Sequence, residues 1–436
     1  MALGRAQSYH ILFIIYVNDL ITNLEKTDTG VRGNSMNPEL KVACIMFVDD
    51  IETYTHTIKD LKTQFDTAIE FARTHRAILN TAKSTITSSQ GKQALEKELK
   101  KIKIQLEAKE TTKQLGTRLS AKQIRDPDNT LLSTDVGTRC GVTESMINTM
   151  MRKGLRAGDM NLADMTKIIA SIIIPTLTFG LASTDINRKD KNKIRTTIAT
   201  ATQGITGITP SHDPKNTWAT LELGLTDPID AIAITDWTTV ISMITGEANE
   251  LASEIVQTDS CLKTALEEVS GKWGFEARTL AHIGKKNRSA WLKTKARTHR
   301  IKQTNNTYFD PTGKPVWQNS ALSQHHITLL IKYRCMRAQG RLEKNIHCVL
   351  CLQKNIQHKG IQHSLNHCTH GAEIAKNSER TKYLTPQEKQ TWQNLDAQSI
   401  SELCAKPTNR ENLLSLALDT LNHCHIFEPK IIIVPN

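Results

Sequence analysis

The spacing of apolar residues near the amino end of the chain is typical of a β-hairpin. Residues 42–48 form a continuous apolar run, which predicts a buried strand. Asp49 and Asp50 interrupt this run, and residues 51–57 then alternate between apolar and polar side chains. Together these segments predict two antiparallel strands with two acidic residues at the tip of the hairpin.

Helical spacing dominates most of the remaining chain. Residues 58–76 carry apolar side chains three and four positions apart, which predicts an amphipathic helix. Residues 102–106 alternate instead and predict a strand. Beyond about residue 120 the pattern predicts almost only helices, one of which begins at Thr385 with a capping Thr-Pro-x-Glu sequence. Breaks in the helical pattern are expected at three prolines: Pro175, Pro210 and Pro228.

Composition narrows the class of protein. The 436 residues carry a formal net charge of +12, which indicates a polyanionic partner, although charge alone fits a merely basic protein equally well. Nine cysteines, six of them scattered singly, fit a reducing compartment, so an intracellular protein, nuclear or cytoplasmic, is expected. The longest apolar stretch, Ile168–Ala182, is too short and too broken to cross a bilayer, and residues 11–17 lack the flanks of a signal peptide. No membrane partner is therefore expected.

A cluster of cysteine and histidine residues predicts a structural zinc site. The four expected ligands follow a C-x2-C-x11-H-x4-C pattern: Cys348, Cys351, His363 and Cys368. Thiolate and imidazole groups at this spacing suit tetrahedral zinc. Four other histidines crowd the same stretch and leave the third ligand open: His347, His358, His367 and His370. The competing interpretation is a CxxC that arose by chance.

The acidic hairpin tip suggests a second metal site. Nucleotidyl transfer uses two divalent metals about 4 Å apart, held by carboxylates and by substrate phosphates. Asp49 and Asp50 follow Phe47 and Val48, so the pair stands at the end of an apolar strand. Taken alone, an Asp-Asp pair at a hairpin is more often a solvated turn.

Seven short segments occur in a particular order along the chain. They are residues 11–20, Phe47–Asp50, the helix over 58–76, Leu79–Ser84, Leu115–Gly116, Pro175–Gly180 and Leu221–Leu225. Each segment is unspecific, but the ordered set resembles the palm and thumb of non-LTR (LINE-like) retrotransposon reverse transcriptases. The resemblance covers residues 4–370.

The resemblance implies roles for individual residues. It places Asp49 and Asp50 at the catalytic magnesium site and Lys83 near the incoming nucleotide. Leu115–Gly116 would support the primer strand, and Gln7 would belong to the template–nucleotide pocket. Proteins of this kind often carry a similar zinc motif after the thumb, where it is regarded as a nucleic-acid-binding element.

The chain departs from the family pattern at its amino end. Gly4 and Gln7 fit the first motif, but residues 8–10 replace a longer link. The first catalytic carboxylate of the family precedes this segment, so the sequence leads us to expect a fragment that cannot polymerise DNA alone. Residues 371–436 show no convincing set of nuclease carboxylates, and no nuclease is expected.

Two basic segments are candidates for nucleic-acid contact. Eight cations fall within 18 residues around Trp291: Lys285, Lys286, Arg288, Lys293, Lys295, Arg297, Arg300 and Lys302. On a helix, Lys293, Arg297 and Arg300 share one face that can follow a phosphate backbone, and Trp291 can stack or pack. A second patch spans Arg188–Arg195. The competing interpretation of either patch is an ordinary solvated helix face.

These observations predict a mostly helical α+β protein in four parts. They are a partial palm with a β-hairpin at 1–120, a helical thumb or connection at 121–310, a zinc module at 311–372 and a helical tail at 373–436. The expected partners are an RNA template and DNA, as target or primer, together with a further polymerase subunit or chain. The alternatives are a non-enzymatic nucleic-acid-binding protein derived from a retroelement and an unrelated helical scaffold.

Overall fold

A computed structural model gives the fold of the chain. It describes residues 16–32, 41–47, 50–114, 117–120, 134–156, 160–182, 186–206, 217–245, 260–303, 315, 317–318, 320–338, 364–365, 368–395, 397–405 and 410–424. Most of these residues are helical and a minority form short two-stranded sheets, which confirms a mostly helical α+β protein. The chain divides into two compact units, residues 1–127 with 243–263 and residues 128–242 with 264–436.

Among the described residues, the first unit contains three whole helices and all the strands, together with short ends of two helices that lie mainly in the second unit. The helices are α1 (16–26), α2 (Ile58–Thr74) and α3 (Lys92–Lys101). The strands are β1 (Val31–Arg32), β2 (Lys41–Val42), β3 (Cys44–Phe47), β4 (Asp50–Thr53), β5 (Thr85–Ile86), β6 (Glu107–Ala108), β7 (Thr111–Gln114) and β8 (Thr117–Ser120). Three of the four strand pairs are antiparallel, and β5 and β6 are parallel.

The predicted acidic hairpin is confirmed as β3 and β4. The two strands are antiparallel, with Phe47 opposite Asp50, and the intervening Val48 and Asp49 lie outside the described residues. The prediction that the first strand is buried is wrong, because Ile45 is 47% exposed. Cys44 and Met46, on one face of the hairpin, contact the small core between α1 and α2.

Helix α2 confirms the helix predicted over residues 58–76. It begins after Thr57, whose side chain accepts a hydrogen bond from the backbone N–H of Asp60. Phe71 is buried against residues of α1, which explains the apolar spacing. The buried Gln64 amide donates to the carbonyl of Tyr54 at 3.2 Å and so ties the helix to the end of the hairpin.

The strand predicted over residues 102–106 is wrong. Helix α3 extends to Lys101, and the strand that follows is only Glu107–Ala108. The backbone N–H of Ile104 donates to the carbonyl of Leu99 at 3.2 Å, which closes the helix end. Ile104 is buried against α3. The alternation over residues 102–106 therefore comes from a chain segment that folds back on the end of α3 and not from a strand.

The second unit is built from helices. They are α4 (Thr134–Arg152), α5 (Leu162–Ile168), α6 (Ile174–Thr178), α7 (Arg188–Thr206), α8 (Thr217–Glu222), α9 (Pro228–Ile244), α10 (Ser260–Trp273), α11 (Ala277–Ala281), α12 (Lys285–Gln303), α13 (Gln324–Ala338), α14 (Thr369–Asn377), α15 (Pro386–Gln393), α16 (Ala397–Ala405) and α17 (Glu411–His423). A 3-10 helix spans Glu379–Tyr383. One large apolar core runs through this unit from α4 to α17.

The break predicted at Pro175 is wrong. A π-helical segment, Ile169–Ile173, joins α5 to α6, and the helical run continues through the proline as far as Thr178. Because Pro175 lacks a backbone N–H, the helix has one hydrogen-bond donor fewer at this position. The π-helical segment directly before Pro175 is consistent with this missing donor. Gly180, with φ of 71°, follows the end of this run.

Among the described residues, no helix is long and apolar enough to cross a membrane.

Two further expectations are confirmed. The helical pattern breaks before Pro228, because α8 ends at Glu222 and α9 begins at Pro228, and α15 begins with the predicted capping box. There the Thr385 hydroxyl accepts from the N–H of Glu388 at 3.2 Å, while the Glu388 carboxylate accepts from the N–H of Thr385 at 2.8 Å. Pro210 lies outside the described residues.

Candidate nucleic-acid interface

The basic segment at 285–302 forms helix α12. Lys285, Lys286 and Lys293 are exposed on it. Trp291 is half-buried and meets the ring of Phe275 edge-on, with ring centroids 5.2 Å apart. The ammonium of Lys295 lies 5.0 Å from the centre of the same indole ring. Trp291 therefore packs within the unit, which was one of its two predicted roles.

Arg288 is turned inward. It is only 4% exposed, and its Nε donates to the carbonyls of Leu280 and Ile283 at 3.2 and 2.9 Å. These carbonyls belong to the end of α11 and the turn after it. Arg288 thus adds hydrogen bonds to carbonyls at a helix end and fixes the corner between α11 and α12.

Arg297 and Arg300 contact the segment around residues 221–230. Arg297 donates to the carbonyl of Leu221 at 2.7 Å. Arg300 pairs with Asp230 through Nε and with Asp227 through Nη2, the latter at 2.9 Å. Burial raises the pKa of Asp230, while Arg300 acts in the opposite direction. Lys293, Arg297 and Arg300 share one face of α12, as predicted. Of these three, Lys293 is exposed, and Arg297 and Arg300 are partly buried.

Asp227 joins the two basic segments that the sequence presents separately. Its carboxylate lies 2.9 Å from Nη2 of Arg300 on α12 and 3.5 Å from Nε of Arg195 on α7. Arg188 and Lys191 are exposed and lie on the same side of α7 as Arg195, at helical spacing. The two helices therefore present their cations to a shared region of one unit.

We call this surface the basic stripe. Its members are Arg188, Lys191, Arg195, Lys286, Lys293, Arg297 and Arg300. At about 1.5 Å per residue, the stripe extends about 10 Å along α7, from Arg188 to Arg195, and about 21 Å along α12, from Lys286 to Arg300. Asp227 contacts the last residue of each part. Asp227 and Asp230 offset the charges nearest the centre, so the net positive charge of the stripe lies mainly at the exposed Arg188, Lys191, Lys286 and Lys293.

The residues predicted for the polymerase site are only partly described. Asp50 is exposed as the first residue of β4, and its carboxylate is of the kind that magnesium prefers. Lys83 is exposed in a turn where its backbone N–H donates to the side chain of Asn80 at 3.2 Å. Within the described part of the chain no hydrogen bond or ion pair joins Lys83 to Asp50. The other predicted members lie outside the described residues: Gln7, Asp49, Leu115 and Gly116.

One of the four expected zinc ligands is described. Cys368 is fully buried and caps the start of α14. Its side chain belongs to the large apolar core of the second unit. Cys348, Cys351 and His363 lie outside the described residues, and the described residues contain no group of three or more metal ligands. The zinc site remains a prediction.

We expect purified protein to carry about one equivalent of zinc. Cys351→Ser should lose the metal, and protease should then cleave residues 345–370 faster, because a structural metal contributes directly to local folding. Metal analysis and limited proteolysis measure the two effects. Cys261→Ser, outside the cluster, is the matched control. Full zinc content in a Cys351→Ser, Cys368→Ser double variant would contradict the ligand assignment.

A buried ion pair beside the basic stripe has no signal in the sequence. Glu222 is 2% exposed, and its Oε1 lies 2.5 Å from Nε of Arg334 on α13. The backbone carbonyl of Glu222 also accepts from the indole N–H of Trp317 at 3.1 Å. Burial raises the pKa of Glu222, while Arg334 and Arg297 act in the opposite direction. The pair holds the end of α8 in place. The carbonyl of Leu221 at this end accepts the hydrogen bond from Arg297, so the pair also helps to position Arg297.

A second polar connection also has no signal in the sequence. The Ser323 hydroxyl lies 2.6 Å from Nδ1 of His326, whose Nε2 lies 3.0 Å from the carboxylate of Asp419 on α17. Ser323 also accepts from the backbone N–H of His326 at 3.4 Å, the bond of a helix cap. These contacts fasten the start of α13 to α17. Nothing in a single sequence indicates that residues 93 positions apart would meet.

Comparison with known proteins gives no relative for this geometry: no family model, no curated protein and no solved structure matches the chain.

Proposed function

We propose that this chain binds nucleic acid and belongs to an RNA-directed DNA polymerase of the non-LTR retrotransposon type. The basic stripe is the observation that supports binding. The order of sequence motifs supports the family. RNA template and DNA target or primer are the proposed partners, together with the polymerase chain or subunit that completes the enzyme.

The stripe has the chemistry of a phosphate-binding surface. Arg188 and Lys191 approach Asp227 along one helix, and Lys286 and Lys293 approach it along another. A row of cations displaces condensed counterions from a nucleic-acid backbone, and the release of these ions drives binding. Contacts of this kind position a strand without reading its bases. The chain should therefore bind structured RNA and DNA with little sequence preference.

The rigidity of the stripe also favours binding. Arg195 and Arg300 are held by different oxygens of the same carboxylate, that of Asp227. Arg297 is held by a backbone carbonyl. Side chains that are already ordered lose less conformational entropy when a ligand binds. The central cations therefore set the spacing of the helices, and the exposed cations contact phosphates.

Binding is tested by fluorescence anisotropy with a labelled RNA hairpin and a labelled DNA duplex. We expect both to bind, and two unrelated sequences of each should agree within about threefold, because phosphate contacts carry no base information. Failure to bind either nucleic acid at low salt would refute the proposed function.

Polymerisation is a second candidate function, favoured by the exposed Asp50 at the start of β4. In this interpretation Asp49 and Asp50 would bind magnesium, which polarises the transferred phosphate when bound. Neighbouring residues of a strand point to opposite faces, so an Asp-Asp pair alone directs one carboxylate to each side. A hairpin pair by itself should hold two metals weakly.

We therefore expect the isolated chain to extend no primer on an RNA template, with either magnesium or manganese. Alignment and electrostatic stabilisation supply most of the rate in phosphoryl-type transfer, and both require a complete metal site. The matched control is the Asp49→Ala, Asp50→Ala double variant. Extension above this control would show that the chain is itself a polymerase.

A further inference from the structure

Phe179 is an exposed aromatic residue at a constrained position. It ends the helical run of α6, and 53% of its surface is exposed. Leu177 and Leu181, two positions away on either side, are 0% and 1% exposed. Gly180, with φ of 71°, turns the backbone directly after the ring. The two buried leucines anchor the turn and hold the phenyl ring outward.

A guanidinium group already lies on this ring. The central carbon of the Arg139 guanidinium is 4.8 Å from the centre of the Phe179 ring, which is a cation–π contact. Arg139 belongs to α4, so the contact links two helices and restricts the ring. More than half of Phe179 remains exposed despite this contact. The ring is therefore a partly exposed apolar surface with a guanidinium group over one of its faces.

Helix α4, which carries Arg139, also packs against α7. Cys140, the residue after Arg139, is buried in the shared core. Lys193 on α7 pairs with Glu144 on α4 at 2.6 Å. The exposed cations of the first turn of α7 are Arg188, Lys189 and Lys191. Two of them belong to the basic stripe.

We propose that Phe179 is a stacking platform for an unpaired base of single-stranded RNA or DNA. This inference rests on the proposed nucleic-acid binding and deepens it. Aromatic side chains beside a cationic groove stack on bases of any sequence. A base in a duplex is covered on both faces, so only an unpaired base can reach the ring. The Arg139 guanidinium on the ring and the exposed cations on the neighbouring α7 favour a base, which brings a phosphate with it, over an uncharged apolar ligand.

The test compares the binding of a single strand with that of a duplex. Phe179→Leu keeps an apolar side chain but removes the aromatic face. It should weaken binding of a single-stranded oligonucleotide roughly 5- to 100-fold, the range measured for one stacked base. Binding of a blunt duplex and its dependence on salt should stay unchanged. Phe179→Tyr, which keeps the ring, should bind like the wild type.

A strand that contains 2-aminopurine reports stacking directly. Its fluorescence should fall on binding to the wild type and to Phe179→Tyr, and should fall less with Phe179→Leu. An unchanged melting temperature shows that each variant is folded. Equal losses for strand and duplex, or no loss for the strand, would overturn this inference alone. A wild-type chain that binds neither nucleic acid would overturn the proposed function as well.

Discussion

Replacing Arg334 by methionine should lower the free energy of unfolding of the second unit by about 3–5 kcal/mol. Arg334 is 5% exposed, and its Nε lies 2.5 Å from Oε1 of Glu222, which is 2% exposed. Its Nη1 also donates to the carbonyl of Cys404 at 3.1 Å. The substitution leaves a buried carboxylate without its cation, and an unpaired buried charge is among the largest costs that one mutation can impose.

The double variant Glu222→Leu, Arg334→Met tests whether the loss of stability in Arg334→Met comes from the unpaired charge of Glu222. With both charges removed no buried charge is left unpaired, so we expect the double variant to be more stable than Arg334→Met alone. Urea unfolding, followed by tryptophan fluorescence, measures both. Lys167→Met is the control, because its ion pair with Asp164 is on the surface and should contribute little. A double variant less stable than either single variant would contradict this account.

Removing the exposed cations of the basic stripe should abolish most of the affinity for nucleic acid. The variant changes four residues to glutamine: Arg188, Lys191, Lys286 and Lys293. Each phosphate contact contributes about tenfold in affinity near 0.1 M salt, so the loss should be on the order of 1000-fold or more. None of the four side chains is buried, and the fold should remain intact.

A matched variant tests whether binding depends on the basic stripe or on the net charge of the whole protein. Lys97, Lys100, Lys101 and Lys103 are exposed in the first unit, and changing them to glutamine removes the same number of charges. We expect this control to bind nearly as well as the wild type, because a local row of cations, and not total charge, follows the strand. Equal losses in both variants would show that binding has no defined site.

Features set by local spacing could be predicted from the sequence. The hairpin of β3 and β4 and helix α2 follow from apolar patterns within a few residues of each other. The capping box at Thr385 uses two side chains three positions apart. In each case the residues that decide the structure are neighbours along the chain, so one sequence contains the whole signal.

Features set by distant contacts could not be predicted. Glu222 and Arg334 are 112 positions apart, and neither has a pattern that marks it as buried. The same reason applies to Arg297 and Arg300: helical spacing places them on one face, but only the fold reveals that residues 221–230 cover part of it. Asp227 links two segments that look independent in the sequence.

The salt dependence of binding, compared between the wild type and the two glutamine variants, tests the account most directly. About four phosphates neutralised by the exposed cations of the stripe correspond to a log–log slope of roughly −3 to −3.5 for the wild type. The stripe variant should have a slope shallower by about 3, and the first-unit control should keep the wild-type slope. A stripe variant with the wild-type slope would contradict the assignment of nucleic-acid binding to this surface.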